Sequence, residues 1–236
     1  MEEAATNGHM AVAKWLNLNQ RKKFCAGQTM DRAASGGNLA AVEWLHANRP
    51  DIRTGFQAKD GAARNGSLAV LEWLHANRPN EPCTTDAMDG AAENGYLSVV
   101  EWLHANRSEG CTSRAMEEAA TNGHMAVAKW LNLNQRKKFC AGQTMDRAAS
   151  GGNLAAVEWL HANRPDIRTG FQAKDGAARN GSLAVLEWLH ANRPNEPCTT
   201  DAMDGAAENG YLSVVEWLHA NRSEGCTSMA LRKAAK

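Results

Sequence analysis

The sequence predicts an all-α protein, an α-solenoid of about eight stacked helix-turn-helix repeats with little or no β-strand. Three observations support this prediction. The segment Met1–Ser113 recurs without change as Met116–Ser228, an offset of 115 residues. Inside each copy, a glycine-centred motif that ends in Trp-Leu returns every 28 or 29 residues. All 8 tryptophans share one phase of this period, and they are Trp15, Trp44, Trp73, Trp102, Trp130, Trp159, Trp188 and Trp217.

The domain boundaries follow from the long repeat. Residues 1–115 form the first four-repeat copy, residues 116–230 form the identical second copy, and residues 227–236 form a C-terminal capping helix. The offset contains four whole short periods, so the junction keeps the register, and we expect one continuous solenoid. Solenoids need a polar terminal element to cover the end of the core, and the tail fits that role.

The first helix of a repeat is short and rich in alanine, as the unit Cys83–Arg107 shows. Thr84 or Thr85 can cap its start, because a threonine hydroxyl accepts a hydrogen bond from a free backbone N–H. The Ala91-Ala92 pair gives a small face that allows a neighbouring helix to come close. Gly95 ends the helix, since glycine readily adopts the left-handed conformation that a helix stop commonly requires.

The second helix begins directly afterwards and carries the larger apolar side chains. Leu97, Val100 and Leu103 form one stripe, which Trp102 widens. Helices this short are marginal alone in water, so each pair depends on its neighbours. We expect the tryptophans to supply much of the packing and to form the structural core.

The segment Thr85–Leu103 resembles the ankyrin repeat pattern in its Ala-Ala pair, its glycine, the following leucine and the Val-Val region. The resemblance spans essentially the whole chain. It implies a non-catalytic scaffold for protein–protein interaction through a concave face. The chain departs from the family in its Thr-Asp-Ala-Met segment, its tryptophan and its short period, which predicts plain loops in place of the usual β-hairpin.

In ankyrin relatives the exposed part of the first helix lines the concave face. By that resemblance the candidate contact residues are Asp31, Arg32, Asp60, Asp89, Glu117, Glu118, Asp146, Arg147, Asp175 and Asp204. An alternative stays open for the acidic residues, which also suit a solvated face or the early positions of a helix.

Histidines recur near the ends of the second helices, at His46, His75, His104 and their copies. A metal site would pair each with a later cysteine, such as His104 with Cys111. Zinc sites usually show clustered ligand pairs, and none occurs here, so a structural role is favoured. No catalytic motif or phosphate loop is present, and we expect no cofactor, no metal and no enzymatic activity.

The amino-acid composition narrows the classes of partner and the location that we expect. Lys plus Arg equals Asp plus Glu at 26 each, which argues against nucleic acid and anionic membranes. We expect no membrane span and no secretory signal. The 6 cysteines share one repeat position, where stacked layers lie about 8–10 Å apart, too far for a disulfide. Free thiols predict a cytoplasmic location.

The exact duplication supports a second hypothesis, different from an interaction scaffold. Repeats inside one copy differ at many positions, whereas the two copies do not differ over 113 residues. Either a gene segment duplicated very recently or the chain was engineered by joining two copies, and the second explanation is favoured. An engineered structural repeat protein would have no natural ligand. The protein partner is unidentified, and we expect a monomer with end-to-end self-association as a further possibility.

Overall fold

The computed structural model describes residues 3–4, 7–19, 28–49, 54–135, 143–164 and 169–234. These residues are all-helical and contain no strand, which confirms the predicted fold class. The first helices of the repeats are α2 (Thr29–Ser35), α4 (Phe56–Arg64), α6 (Thr85–Glu93), α8 (Ser113–Thr121), α10 (Thr144–Ser150), α12 (Phe171–Arg179), α14 (Thr200–Glu208) and α16 (Ser228–Ala234). The second helices are α1 (Met10–Asn19), α3 (Leu39–Asn48), α5 (Leu68–Asn77), α7 (Leu97–Asn106), α9 (Met125–Asn134), α11 (Leu154–Asn163), α13 (Leu183–Asn192) and α15 (Leu212–Asn221).

A glycine turn joins the two helices of each repeat. At Gly66 the backbone has φ = 71°, a conformation that costs residues with a Cβ atom. The Gly66 N–H donates to the Ala63 carbonyl at 3.0 Å, and the Ser67 N–H donates to the Ala62 carbonyl at 2.8 Å. These two bonds close α4 before α5 begins. The predicted glycine stop is confirmed, because every motif glycine from Gly8 to Gly210 has a positive φ.

The chain divides into two compact units, Met1–Ala115 and Met116–Lys236. In each unit, successive first helices pack against one another more extensively than successive second helices do. The alanines of the first helices make this close approach possible, and Ala33 and Ala62 are fully buried. Val42, Leu45 and Leu74 from the second helices complete the core.

The tryptophans lie at the margin of this core, which corrects the prediction that they form it. Trp15 is 58% exposed. The other seven are half-buried: Trp44, Trp73, Trp102, Trp130, Trp159, Trp188 and Trp217. Alanine, valine and leucine side chains already fill the space between the helices. The wide indole rings therefore cover the core from outside, as Trp44 and Trp73 do.

A lysine side chain lies inside each unit. Lys59 and its copy Lys174 are each 1% exposed, at a position that Met30 and Met88 occupy in sister repeats. The Lys59 ammonium donates to the carbonyls of Arg78 at 3.1 Å and Glu81 at 2.9 Å. It therefore binds the C-cap of α5, the second helix of its own repeat, and the loop that follows that helix. No helix among the described residues has the length and apolar character needed to span a bilayer.

Candidate interaction surface

The aspartates that recur in the first helices are buried. Asp60 in α4 is 7% exposed. Its carboxylate accepts hydrogen bonds from the Thr84 N–H at 2.9 Å and the Thr84 hydroxyl at 2.6 Å. Thr84 is the N-cap of α6, and its hydroxyl accepts a bond from the Asp86 N–H at 3.1 Å. Asp60 thus fixes the start of the first helix in the next repeat.

The same arrangement recurs in both units. The other pairs are Asp31 with Gly55, Asp89 with Thr112, Asp146 with Gly170, Asp175 with Thr199, and Asp204 with Thr227. These six aspartates are therefore not the exposed row of residues that the resemblance predicted, although Asp60 and Asp175 are among the residues that line a surface groove. Each side chain turns toward the neighbouring repeat, where it satisfies the backbone of a helix terminus. The early-helix alternative is also incomplete, since these aspartates cap the next helix and not their own.

Burial raises the pKa of three aspartates in this series, and their hydrogen bonds oppose that effect. Burial raises the pKa of Asp31 and Asp89, and it raises the pKa of Asp146 to about 6. Gly170 offers Asp146 a single N–H, at 2.9 and 3.2 Å from the two carboxylate oxygens. Thr112 offers Asp89 a hydroxyl as well as an N–H, and these two bonds lower its pKa against the larger effect of burial.

The residues one position later lie on the exposed side of the first helices. Arg32 donates to Glu3 at 3.0 Å. Arg147 pairs with Glu118 at 2.7 Å and Glu117 at 3.2 Å. Glu117 is buried, so its predicted place in a contact surface is also wrong. Arg32 and Arg147 stay at the surface, as predicted, with Glu118 as a partly exposed partner.

Each unit has a groove on this exposed side, which the repeat pattern did not predict. In the first unit its volume is about 250 Å³, and its lining comprises Ser35, Phe56, Gln57, Asp60, Gly61, Arg64 and Asp86. The copy in the second unit has about 280 Å³ and the corresponding lining: Ser150, Phe171, Gln172, Asp175, Gly176, Arg179 and Asp201. The available signal was a phenylalanine where a sister repeat has Thr85.

Glycine and phenylalanine shape the groove. A Cβ atom on Gly61 would come within 2.7 Å of the Ser35 Cβ, so α2 and α4 approach closely at this point. Gly61 lacks the side chain that Arg32 has at the corresponding position of the preceding repeat, and Ser35 occupies the space next to it. Phe56 is 49% exposed beside it. Arg64 on the same helix pairs with Glu93 at 3.5 Å.

Histidines that recur at the ends of the second helices pack against the next repeat. The His46 ring packs edge-on against Trp73 of the next repeat, with the ring centroids 5.1 Å apart. Its Nδ1 accepts a bond from Arg78 Nε at 3.2 Å. Among the described residues no group of three or more His, Cys, Asp or Glu could hold a metal ion.

The described cysteines, Cys83, Cys111, Cys198 and Cys226, form no disulfide with one another. Burial raises the pKa of Cys83 and of Cys198 to about 12, which makes these two thiols unreactive. Cys25 and Cys140 lie outside the described residues.

Comparison with known proteins supports the fold. No protein-family model and no curated protein matches the sequence. Among solved structures, the chain is similar to the crystal structure of the human ASB11 ankyrin repeat domain, with a TM-score of 0.58 and 17% sequence identity. The match covers 82% of this chain and 97% of that domain. The fold is therefore ankyrin-like, built from repeats that are shorter than the usual ones.

Proposed function

We propose that this chain is a non-catalytic scaffold that binds a protein partner through the exposed side of its first helices, the face that is concave in ankyrin proteins. The observation that carries the proposal is the groove beside Phe56 and its copy beside Phe171, each with a half-exposed aromatic ring. Aromatic side chains that stay exposed beside a groove are typical anchors for a partner. The ankyrin-like fold supports the same function.

A display selection tests this proposal. The full chain is immobilised and used to select from a library of natural protein fragments, and the enriched peptides are titrated by calorimetry. Phe56→Ala with Phe171→Ala should weaken the enriched ligands about tenfold or more. The matched control is Glu72→Lys with Glu187→Lys on the exposed side of the second helices. Ligands that respond to the control and not to the phenylalanine variant would contradict the proposal.

A second candidate is an engineered structural repeat protein with no natural ligand, because the two copies agree at all 113 residues of Met1–Ser113. A selection that enriches no fragment would favour it. For either candidate we expect a monomer in a cytoplasmic setting, which the unreactive buried thiols support.

A further inference from the structure

We propose that each groove holds an arginine side chain from an extended segment of the partner, with the guanidinium between the phenylalanine ring and the carboxylate of Asp86 or Asp201. This inference rests on the proposed function and adds the chemistry of the ligand. It follows from the charges that line the groove.

The charged groups around the groove of the first unit are not equally available. The carboxylate of Asp60 already accepts two hydrogen bonds from Thr84. Arg64 pairs with Glu93 at 3.5 Å. Asp86 is exposed, and its carboxylate has no ion pair or hydrogen bond with another described residue. The lining therefore presents one unused negative charge.

The negative charge of Asp86 also acts on Asp89, the next carboxylate of the same helix. Burial raises the pKa of Asp89, and the negative charge of Asp86 adds to that effect. A cation placed in the groove would relieve this repulsion. A carboxylate placed there would add to it, so an acidic partner fits poorly.

Size and shape favour a single arginine. Grooves of about 250 and 280 Å³ are below the range of about 300–1,000 Å³ that drug-sized ligands occupy. A guanidinium is planar, stacks on an aromatic face and binds a carboxylate through two N–H groups. The Phe56 ring and the Asp86 carboxylate offer these two contacts.

The test is an NMR titration of the full chain with a Gly-Ser peptide that carries arginine at every third position. Saturable shifts should appear at Gln57 and Gly61 and their copies. The matching glutamine peptide should bind about fivefold more weakly or worse, because it lacks the cation. Asp86→Asn with Asp201→Asn should weaken the arginine peptide by a similar factor, and so should Phe56→Leu with Phe171→Leu.

The control pair is Glu72→Gln with Glu187→Gln, which removes the same charge from the second helices and should leave binding unchanged. The inference is overturned if the glutamine or a glutamate peptide binds as well as the arginine peptide. It is also overturned if no peptide shifts the NMR signals of the groove residues. The same holds if the aspartate variants bind the arginine peptide as tightly as the native chain does. Fragments from the display selection that still depend on Phe56 and Phe171 would leave the proposed function standing in each of these cases.

Discussion

The Thr84 hydroxyl donates a 2.6 Å hydrogen bond to Asp60 and accepts one from the Asp86 N–H, so that one side chain joins two successive repeats. The bond to the carboxylate is charge-assisted and therefore stronger than a neutral one. The bond from the backbone caps α6. Both depend on the same oxygen atom.

Replacing this threonine should loosen the stack. Thr84→Val with Thr199→Val keeps the shape of the side chain and removes both bonds. We expect a loss of about 1–2 kcal/mol per site in the free energy of unfolding, measured by urea denaturation.

The next residue supplies the matched control. Thr85→Val with Thr200→Val makes the same change one position later, where the structure shows no bond from the hydroxyl to a described residue. This variant should unfold within about 0.5 kcal/mol of the native chain. Equal losses in the two variants would show that the inter-repeat bond contributes little.

Introducing the missing hydroxyl should stabilise the repeats that lack it. Gly55 has φ = −95° and ψ = −172°, close to the −118° and 177° of Thr84, so a threonine can adopt its backbone conformation. Gly55→Thr with Gly170→Thr should donate to Asp31 and Asp146 and restrict the unfolded chain. We expect a gain of about 1 kcal/mol per site in urea denaturation.

Alanine separates these two contributions. Gly55→Ala with Gly170→Ala also restricts the unfolded chain but offers no hydroxyl. The threonine variant should be the more stable of the two. The proposed bond is absent if alanine gives the same gain.

Sequence periodicity predicted the helix pairs, the glycine stops and the absence of strands, because each depends on local backbone preferences. It did not predict the role of Asp60, since a repeating position identifies a helix face but not which neighbour that face meets. The spacing of 23 or 24 residues between each aspartate and a helix start was the available signal. The groove beside Phe56 needed the distance between α2 and α4, which no sequence pattern contains.

The raised pKa of Asp146, about 6 against 3.8, predicts an unusual pH dependence. The folded chain holds this proton more tightly than the unfolded chain does. Its contribution to stability is therefore complete below pH 3.8 and is lost as the pH rises through about 6. Asp31→Asn with Asp146→Asn removes this loss. Relative to the native chain, the variant should gain up to about 3 kcal/mol in the free energy of unfolding over that pH interval from the Asp146 site.

Urea denaturation at a series of pH values measures this difference. Adding Gly55→Thr and Gly170→Thr to the native chain should narrow the pH interval over which stability is lost, because a new hydroxyl donor lowers the pKa of Asp146. Parallel pH profiles for the native and asparagine chains would contradict the argument.

The buried Lys59 and Lys174 predict the opposite slope at alkaline pH. Burial lowers the pKa of both lysines from the ordinary value of 10.5, so the folded chain releases this proton first. Their contribution makes the native chain more stable as the pH rises toward 10.5. Lys59→Met with Lys174→Met places the side chain of the sister repeats there and removes this rise.

The relevant measurement is the stability difference between variant and native chain as the pH is raised. It should move steadily in favour of the native chain. Lys14→Met with Lys129→Met, at exposed positions of α1 and α9, is the matched control and should show no such trend. If both variants showed the same trend, its cause would be the loss of positive charge and not the burial of Lys59 and Lys174.

The position of each indole predicts how much it contributes. Trp73 packs against the core of the first unit and meets His46 edge-on, whereas Trp15 is 58% exposed at the same phase of its own repeat. Trp73→Ala should lower the free energy of unfolding by about 2 kcal/mol, less than the 3–5 kcal/mol of a fully buried tryptophan. Trp15→Ala should cost less than about 1 kcal/mol. Because the substitution and the phase within the repeat are the same, urea denaturation of the two variants compares how the two rings pack, including the contact of Trp73 with His46. Equal costs would mean that the exposed ring packs as well as the half-buried one.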